Sequence, residues 1–288
     1  MDERAALDLV SGLVDAAGDD CAIVGDCVLT TDMLHDTTDF PDGTTRYTAG
    51  WRAVGASLSD VAAMGAEATA AVAVYGAPTF VAEDVQRFVE GCLDVCETCG
   101  AEYVGGDLDG HEEFTVATTA LGTTDDPVSR SGARPGDVLC VTGELGRTAA
   151  ALEFFEDDPD RANELFRFSP RVVAGRAIAP HATAMMDSSD GLARSLHQLA
   201  EASDCGFAVD YDSIPVCSAL DDAVSDPTDR RQRAVHFGED FELVFTVPET
   251  AFDAAADAAP TDLSRIGTVT ETGVKMDGEP LPDRGYTH

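Results

Sequence analysis

The stretch Leu58-Ser59-Asp60-Val61-Ala62-Ala63-Met64-Gly65-Ala66 decides the fold of this chain. It ends an alanine-rich segment, 46–64, whose composition predicts a long helix that stops at Gly65. A strand is predicted directly after that helix, at 68–75. This order of elements indicates an α/β fold in which Asp60 lies on a helix next to a sheet.

The rest of the chain continues the alternation of strands and helices. A turn at Gly25-Asp26 joins two strands, and the spacing of apolar residues predicts an amphipathic helix at 3–17. Strands are also predicted at 21–24, 27–31, 102–104, 114–121, 138–141, 184–187, 207–209 and 242–247 and around Ile266 and Val274, with helices at 83–99, 147–155, 170–178 and 190–202. The segment 127–136 is rich in Gly, Pro, Ser and Arg, which marks a domain junction. The sequence therefore predicts an α/β (α+β) protein of two mixed α/β domains, 1–126 and 137–288.

The composition is that of a globular protein with an unusual charge. The chain has 288 residues, of which 44% are hydrophobic, so it can build substantial cores. Its 54 acidic residues outnumber 18 basic ones and give a formal net charge of -36. The acids are spread over every segment, which favours a solvated coat suited to molar salt over an acidic patch for a basic partner. We therefore expect a halophilic protein that binds no nucleic acid, since it has no basic stripe to neutralise phosphates.

The eight cysteines indicate a reducing compartment. Neither a secretory signal nor an apolar run long enough to cross a bilayer is found, so we expect a cytoplasmic protein with no membrane partner. Cys92, Cys96 and Cys99 have a spacing that could hold an iron–sulfur cluster. They also share one face of the helix predicted at 83–99, as small core residues do, and we favour core packing.

Six short acidic motifs run through most of the chain, and most of them fall where a strand should meet another element. They are Gly18-Asp19-Asp20, Thr30-Thr31-Asp32, Ser59-Asp60, Gly105-Gly106-Asp107, Asp187-Ser188-Ser189-Asp190-Gly191 and Gly238-Glu239-Asp240. Carboxylates at such positions can converge in the fold, and hard oxygen ligands suit Mg²⁺ with a polyphosphate. The candidate metal ligands are Asp20, Thr30, Thr31, Asp32, Asp60, Asp107, Asp187 and Asp190. Taken singly, these residues can equally be helix caps, turns or solvated positions, whereas the whole set favours metal.

Three further features suit a bound nucleotide. The glycines before Asp107 let main-chain amides approach a phosphate, and Ser189 can offer a hydroxyl and an amide at the start of a helix. Arg130 can clamp a phosphate. Each has an ordinary alternative, namely a plain turn, a helix cap and a surface arginine. No P-loop lysine motif and no convincing Ser/His/Asp set is found.

Taken in order, these motifs closely resemble those of the thiamine-monophosphate kinases. The matching runs are Gly18-Asp19-Asp20-Cys21-Ala22, Thr30-Thr31-Asp32-Met33-Leu34, 58–66, Gly105-Gly106-Asp107, 130–137, Ser189-Asp190-Gly191-Leu192 and Gly238-Glu239-Asp240-Phe241-Glu242-Leu243. They span nearly the whole chain, and the ordered set is far more specific than any one of its parts.

The resemblance implies ATP-dependent phosphorylation of thiamine monophosphate to thiamine diphosphate, with several Mg²⁺ ions. It also implies the fold of aminoimidazole ribonucleotide and selenophosphate synthetases, with N-terminal domains that pair in a homodimer. The eight candidate ligands would bind metal, with Asp32 and Asp190 as the residues most directly concerned with catalysis. The contacts to ATP would come from Gly106, Asp107, Arg130 and Ser189, and those to thiamine from Glu239 and Tyr286.

One departure from the family pattern concerns the acceptor. Where many members have a histidine before a phenylalanine, this chain has Asp39-Phe40, and Asp39 could face the cationic thiazolium instead. Two other functions stay open at this point. One is another ATP-using synthetase of the same fold, and the other is a non-catalytic acidic protein that binds cations.

Overall fold

The computed structural model of the chain describes residues 9–10, 12–14 and 17–285. Two β-sheets, one from each half of the chain, pack with helices into a mixed α/β architecture, which confirms the predicted fold class. The helix predicted at 3–17 lies for the most part outside the described residues, as does Tyr286. Within the described ranges, no helix has the length and apolarity that a bilayer span requires.

The elements alternate along the chain much as the sequence predicts, and β7 has its predicted bounds. The strands are β1 (Ala22–Val24), β2 (Cys27–His35), β3 (Glu67–Ala77), β4 (Glu102–Gly110), β5 (Thr115–Thr123), β6 (Val138–Thr142), β7 (Ala184–Asp187), β8 (Gly206–Val209), β9 (Leu243–Val247), β10 (Leu263–Thr270), β11 (Gly273–Met276) and β12 (Glu279–Pro280). The helices are α1 (Asp36–Asp39), α2 (Arg46–Ala63), α3 (Ala82–Cys99), α4 (Arg147–Phe154), α5 (Pro159–Phe166), α6 (Val172–Ile178), α7 (Leu192–Ser203), α8 (Ser218–Ala223), α9 (Pro227–His236) and α10 (Phe252–Ala258).

The N-terminal sheet has the strand order β1-β2-β5-β3-β4. β1 and β2 form a hairpin in which Val24 pairs with Cys27, and the φ of 69° at Gly25 suits the turn between them. β5 lies antiparallel to both β2 and β3, and β4 runs parallel to β3. Because α2 and α3 pack on each other and against this sheet, one of its faces is covered.

α2 joins the two halves of the molecule. It is buried along most of its 18 residues and contacts both the N-terminal sheet and, from the C-terminal half, α6 and β7. One cluster of buried apolar side chains includes Val61 of α2, Val116 of β5, Ile178 of α6 and Phe245 of β9, so the two halves share a core. α2 therefore fixes Asp60 relative to both halves.

The C-terminal sheet has the strand order β12-β11-β8-β10-β6-β9-β7. β7 pairs antiparallel with β9, whose five residues are all buried. Since β7 lies at the edge of this sheet and contacts α2, its last residue, Asp187, lies at the junction between the two halves.

The face of the N-terminal sheet opposite α2 is apolar and exposed, and we call it the outer face. Its side chains alternate along each strand with side chains buried under the helices, as the strand pleat requires. The exposed apolar residues on it include Leu29, Met33, Val72, Val74 and Val104. An apolar surface of this extent is typical of a protein–protein contact.

The three cysteines of α3 lie in the core, as the helical spacing favours. Cys92, Cys96 and Cys99 are all buried, and the Cys92 thiol donates to Gly50 O at 3.5 Å. Burial raises the pKa of Cys99 to about 11 and that of Cys96 to about 12. The three thiols therefore pack as small core side chains, as the helical spacing predicts.

Two acidic motifs lie inside strands, so the prediction that they mark strand ends is wrong. β2 continues to His35, beyond the predicted end at residue 31, which places Thr30-Thr31-Asp32 in its middle. β4 continues to Gly110, beyond the predicted end at residue 104, and contains Gly105-Gly106-Asp107. β3 pairs with β4 through these glycines. Because glycine is uncommon within strands, the composition of 105–107 does not predict that β4 continues there.

Candidate functional site

Three carboxylates from distant parts of the chain meet at one point, and we call them the carboxylate cluster. Asp20 lies in the turn before β1, Asp60 lies on α2, and Asp187 ends β7. One oxygen of each lies within 4.8 Å of the others. Because its members come from both halves of the chain, the cluster depends on the way in which the two halves pack.

Hydroxyl groups orient two members of the cluster. Thr30 Oγ1 donates to Asp60 Oδ2 at 2.5 Å, which ties β2 to α2. Ser59 Oγ donates to Asp187 Oδ2 at 2.6 Å, which ties α2 to β7. Both Ser59 and Asp187 are buried, so this hydrogen bond holds the carboxylate in one orientation.

Asp32 lies beside the cluster, whereas Thr31 does not. Asp32 Oδ2 accepts a hydrogen bond from Ser57 Oγ at 2.6 Å, so α2 orients this side chain as well. Thr30 and Asp32 lie on the same face of β2, because side chains alternate along a strand. Thr31 lies on the outer face, and its hydroxyl donates to Thr118 O at 2.7 Å.

Burial raises the pKa values of Asp32, Asp60 and Asp187, and the charges of neighbouring carboxylates raise those of Asp60 and Asp187 further. Burial first, and then the charge of Asp20, raises the pKa of Asp187 to about 8. Burial and the charges of the neighbouring carboxylates raise the pKa of Asp60, and burial raises the pKa of Asp32. A bound cation would favour the ionised form of all three groups.

Arg130 pairs with Asp20 at the edge of the cluster. Its Nε and Nη2 donate to the two carboxylate oxygens of Asp20 at 3.1 and 2.9 Å, a bidentate geometry. Its main-chain N–H donates to the carboxylate of Asp19. The guanidinium therefore lies where it can also contact a phosphate next to the cluster.

The loop between β7 and α7 carries Ser189 and Asp190, just after Asp187 of the cluster. Gly191, with a φ of 99°, is the N-cap of α7, so neither predicted side-chain cap is seen. A main-chain hydrogen bond anchors this loop to the segment before β9, because Ser189 O accepts from Glu239 N at 2.6 Å. Ser189 and Asp190 thus follow the cluster on a short and well-anchored segment.

Gly106 and Asp107 lie away from the carboxylate cluster of their own chain. A row of paired residues crosses the sheet from Thr31 of β2, through β5 and β3, to Gly105 of β4. Three strand spacings amount to about 14 Å, which is too long for a shared metal ion. Within one chain, the fold therefore does not bring Asp107 to the other candidate ligands.

An apolar pocket of about 480 Å³ lies between β4 and α3, beside Gly106 and Asp107. Its other lining residues include Tyr75, Val85, Phe88 and Tyr103. A Cβ on Gly106 would lie 1.7 Å from Ala73 O, so the close approach of β3 requires glycine there. The pocket has the apolar lining that a flat heterocycle prefers.

A second cavity, of about 130 Å³, lies between the two halves of the chain, and we call it the junction cavity. It contains Asp39 and Glu239, the two described residues predicted to contact thiamine. The remaining lining residues are Thr37, Thr38, Phe40, Pro41, Thr148, Leu152, Phe166 and Phe237. Asp39 is buried, and its Oδ2 accepts from His35 N and Thr38 Oγ1, both at 2.7 Å.

Arg52 of α2 lies behind the junction cavity, and sequence reasoning misses it. Its guanidinium donates to Glu239 Oε2 at 2.5 Å and to Phe166 O at 2.7 Å. Sequence reasoning also misses Ser57 and Ser59, which bond to the buried carboxylates. The available signal is that Arg52 lies between Trp51 and Ala53 in the apolar part of an alanine-rich helix, since a buried arginine requires partners.

Family models match most of the chain. Residues 18–124 match the N-terminal domain of the AIR synthase related proteins, and residues 134–277 match the C-terminal domain.

Several curated relatives match over the full chain. A thiamine-monophosphate kinase of Halobacterium salinarum is 64% identical over 291 residues, with 100% of each chain covered. One of Methanospirillum hungatei is 40% identical over 299 residues, covering 100% of this chain and 99% of the relative. One of Escherichia coli is 31% identical over 295 residues, covering 94% and 90%.

Solved structures share the fold. AaThiL complexed with AMPPCP and TMP is 28% identical with a TM-score of 0.89, and the match covers 99% of this chain and 96% of that one. A thiamine monophosphate kinase from Aquifex aeolicus is 29% identical with a TM-score of 0.86, covering 98% and 99%. The hydrogenase maturation protein HypE in complex with ATP is 20% identical with a TM-score of 0.75, covering 94% and 88%, which shows a likeness of fold alone.

Proposed function

The chain belongs to the thiamine-monophosphate kinase family of AIR synthase related proteins, and we propose that its carboxylate cluster and junction cavity together form the active site. The enzyme transfers a phosphoryl group from ATP to thiamine monophosphate, which gives thiamine diphosphate. The observation that carries this placement is that one helix, α2, supplies residues to both regions.

α2 sets the distance between the cavity and the cluster. Ser59, which bonds to Asp187, follows Arg52 by seven residues, so the two lie on one helix face about 10 Å apart along the axis. This span is comparable with the distance between the aminopyrimidine ring and the phosphate of thiamine monophosphate. The heterocycle would occupy the junction cavity, in contact with Asp39 and Glu239, and the phosphate would point to the cluster. Tyr286 stays a further candidate contact outside the described residues.

The carboxylate cluster fits Mg²⁺. Its oxygens lie within 4.8 Å of one another, and carboxylate and hydroxyl oxygens are ligands that this ion prefers. The residues that would hold the ions within one chain are Asp20, Thr30, Asp32, Asp60, Asp187 and Asp190. Bound Mg²⁺ supplies positive charge that stabilises the phosphate oxygens during the transfer.

The transfer is direct, without a phosphorylated enzyme. The acceptor phosphate is itself the nucleophile and needs little help from a general base, so the protein mainly aligns two anions. The hydroxyls of Thr30, Ser57 and Ser59 all donate to carboxylates, so none of them is proposed as a nucleophile, and the oxygen of Thr30 keeps lone pairs for a metal ion. Incubation with ATP but without an acceptor should therefore leave the chain unphosphorylated.

A homodimer through the outer face would complete the site. The exposed Met33 and Val104 make this face suitable for a contact between copies, and Thr31 lies on the same face. Paired in this way, Asp107 of a second copy can approach Thr31, although the chain's own Asp107 cannot. This arrangement accounts for two candidate metal ligands that one chain leaves apart.

The nucleotide would lie across that contact. Gly106 and Asp107 would meet its phosphates, and the apolar pocket between β4 and α3 would hold its adenine ring. From the side of the cluster, Arg130 and Ser189 would also contact ATP. The bidentate pairing of Arg130 with Asp20 supports this assignment, because it holds the guanidinium beside the proposed metal site.

Three further features complete the proposal. Residues 1–126 would form the metal-binding, ATP-binding and dimerisation domain, and residues 137–288 the C-terminal domain. The net charge of -36 supports a halophilic protein that needs molar salt for stability. The eight free thiols support a reducing compartment, the cytoplasm.

An ADP-release assay in molar KCl with Mg²⁺ tests this function. We expect ADP to form with thiamine monophosphate and not with thiamine or with buffer alone. Equal release with all three would indicate an ATPase, and no release with thiamine monophosphate would contradict the proposed acceptor.

A further inference from the structure

We propose that Arg52 is a positioning residue of the acceptor site, which holds Glu239 and the aromatic side of the junction cavity in place. This inference rests on the proposed placement of thiamine monophosphate in that cavity. Arg52 belongs to the N-terminal half, whereas Glu239 and Phe166 belong to the C-terminal half. The arginine therefore connects the two sides between which the acceptor would lie.

The hydrogen bonds of Arg52 end on residues that line the cavity. Nη2 donates to Glu239 Oε2 at 2.5 Å, and Nη1 donates to Phe166 O at 2.7 Å. A longer contact of 3.5 Å joins Nη1 to Thr148 Oγ1. Because Glu239, Phe166 and Thr148 all line the cavity, one guanidinium reaches three of its lining residues from behind.

Aromatic rings fix the plane of the guanidinium. Its central carbon lies 3.7 Å from the ring centroid of Phe166 and 5.4 and 5.6 Å from those of Phe168 and Phe241. The rings of Phe168 and Phe241 stack on each other at 4.1 Å. A planar guanidinium can stack on an aromatic ring and at the same time donate hydrogen bonds in its own plane. An ammonium group has no plane with which to stack.

Glu239 needs such support because its backbone is in an uncommon conformation. Its φ of 61° lies in the left-handed region, which is costly for a residue with a side chain. Its carbonyl accepts from Thr148 Oγ1 at 2.6 Å and, at 3.4 Å, from Arg52 Nη2, so Arg52 contacts both the backbone and the side chain of Glu239. Without Arg52, the carboxylate loses its partner and can rotate away from the cavity.

The experiment compares Arg52→Met, Arg52→Lys, Glu239→Gln and the Arg52→Met/Glu239→Gln double variant in steady-state kinetics at molar KCl. For Arg52→Met, we expect the KM for thiamine monophosphate to rise about tenfold or more, with the KM for ATP within twofold of the wild type. The KM of Arg52→Lys for thiamine monophosphate should lie between those of Arg52→Met and the wild type, because lysine keeps the positive charge and lacks the forked guanidinium. The KM of the double variant for thiamine monophosphate should not exceed that of Arg52→Met, because both changes remove the same contact.

Arg171→Met is the matched control. Arg171 forms a bidentate ion pair with the buried Glu242 and does not line the junction cavity. We expect this variant to lower the melting temperature while the KM for thiamine monophosphate stays within twofold of the wild type. If Arg171→Met and Arg52→Met raise that KM equally, Arg52 has a structural role alone and the inference is wrong.

The outcomes separate the inference from the function on which it rests. A wild-type enzyme without activity on thiamine monophosphate contradicts the proposed function. An active wild type together with an unchanged KM in folded Arg52→Met contradicts the role of Arg52. If Arg52→Met does not fold, Arg52→Lys and Glu239→Gln decide the matter, since an unchanged KM in both would overturn the inference.

Discussion

The carboxylate cluster and the junction cavity lie near the same helix, yet their acidic side chains have opposite surroundings. In the cluster, Asp60 and Asp187 lie close together, and burial and the charges of neighbouring carboxylates raise their pKa values. In the cavity, Glu239 meets the buried guanidinium of Arg52. The first region concentrates negative charge that Arg130 compensates at Asp20 alone, whereas in the second region Arg52 compensates the charge of Glu239.

This difference indicates which of the two regions is stabilised by cations from solution. Carboxylates that repel one another gain the most from a divalent cation, whereas a carboxylate paired with arginine is already compensated. We therefore expect the cluster to govern turnover and metal affinity. The cavity should govern the affinity for the acceptor.

The largest effect should come from removing a charge at or beside the cluster. Asp32→Asn and Asp190→Asn should each lower turnover by on the order of a hundredfold or more, because a neutral amide weakens metal binding. Initial rates of ADP release at saturating ATP and thiamine monophosphate measure this. The exposed Asp26, in the hairpin turn, provides the control Asp26→Asn, which should retain normal turnover. Near-normal rates for Asp32→Asn or Asp190→Asn would remove that residue from the metal site.

The second effect tests whether a second copy completes the cluster. Asp107→Asn and Asp187→Asn should each be nearly inactive as pure proteins. If the two residues serve one site from different chains, mixed dimers have one intact site, and re-equilibrated equal mixtures should recover about a quarter of wild-type activity by random pairing. No recovery on mixing, with exchange verified by differently tagged chains, would show that both residues act within one chain.

A smaller effect should follow at the cavity. Asp39→Asn removes a negative charge that would face the cationic ring, so the KM for thiamine monophosphate should rise about tenfold while turnover changes less than threefold. The KM for ATP provides the internal control and should stay unchanged. A loss of turnover at constant KM would place Asp39 with the cluster and would remove the contrast between the two regions.

The smallest effect concerns stability and pH in metal-free buffer. The pKa of Asp187 is raised from 3.8 to about 8, so the folded chain holds this proton more tightly than the unfolded chain. Stability should therefore fall as the pH rises from about 4 to about 8 and level off above that range. Asp240, whose pKa burial raises to about 7, contributes in the same direction.

Thermal unfolding in EDTA and molar KCl measures this dependence. The melting temperature of the wild type should drop by a few degrees between pH 5 and pH 8, and Mg²⁺ should restore it at pH 8. Asp187→Asn should show a smaller drop and a weaker response to Mg²⁺. An identical pH dependence in the variant would mean that Asp187 does not titrate in this range.

The sequence predicts much of this fold because its signals are local. Apolar periodicity gives α3, and alanine-rich composition gives all of α2, whose end Gly65, with its φ of 65°, marks. Sequence analysis does not predict five helices, each of ten residues or fewer: α1, α5, α8, α9 and α10. Short polar helices such as α9 depend on tertiary contacts more than on propensity.

The candidate site is predictable in its residue types and less so in its geometry. Asp20, Asp60 and Asp187 meet, as the placement of the acidic motifs between strands and helices suggests. Nothing local shows that Asp107 lies three strands away, since that depends on the strand order of the sheet. The role of Arg52 is equally hidden, because its partners come from the other half of the chain.

The most direct test of the account is an anomalous diffraction experiment on crystals grown with Mn²⁺ and AMPPCP at high salt. We predict anomalous peaks within about 2.5 Å of the carboxylate oxygens of Asp20, Asp60 and Asp187, with phosphate oxygens of the nucleotide on the same ions. Well-ordered nucleotide without any such peak at these three side chains would contradict the claim that they bind the metal of the transfer.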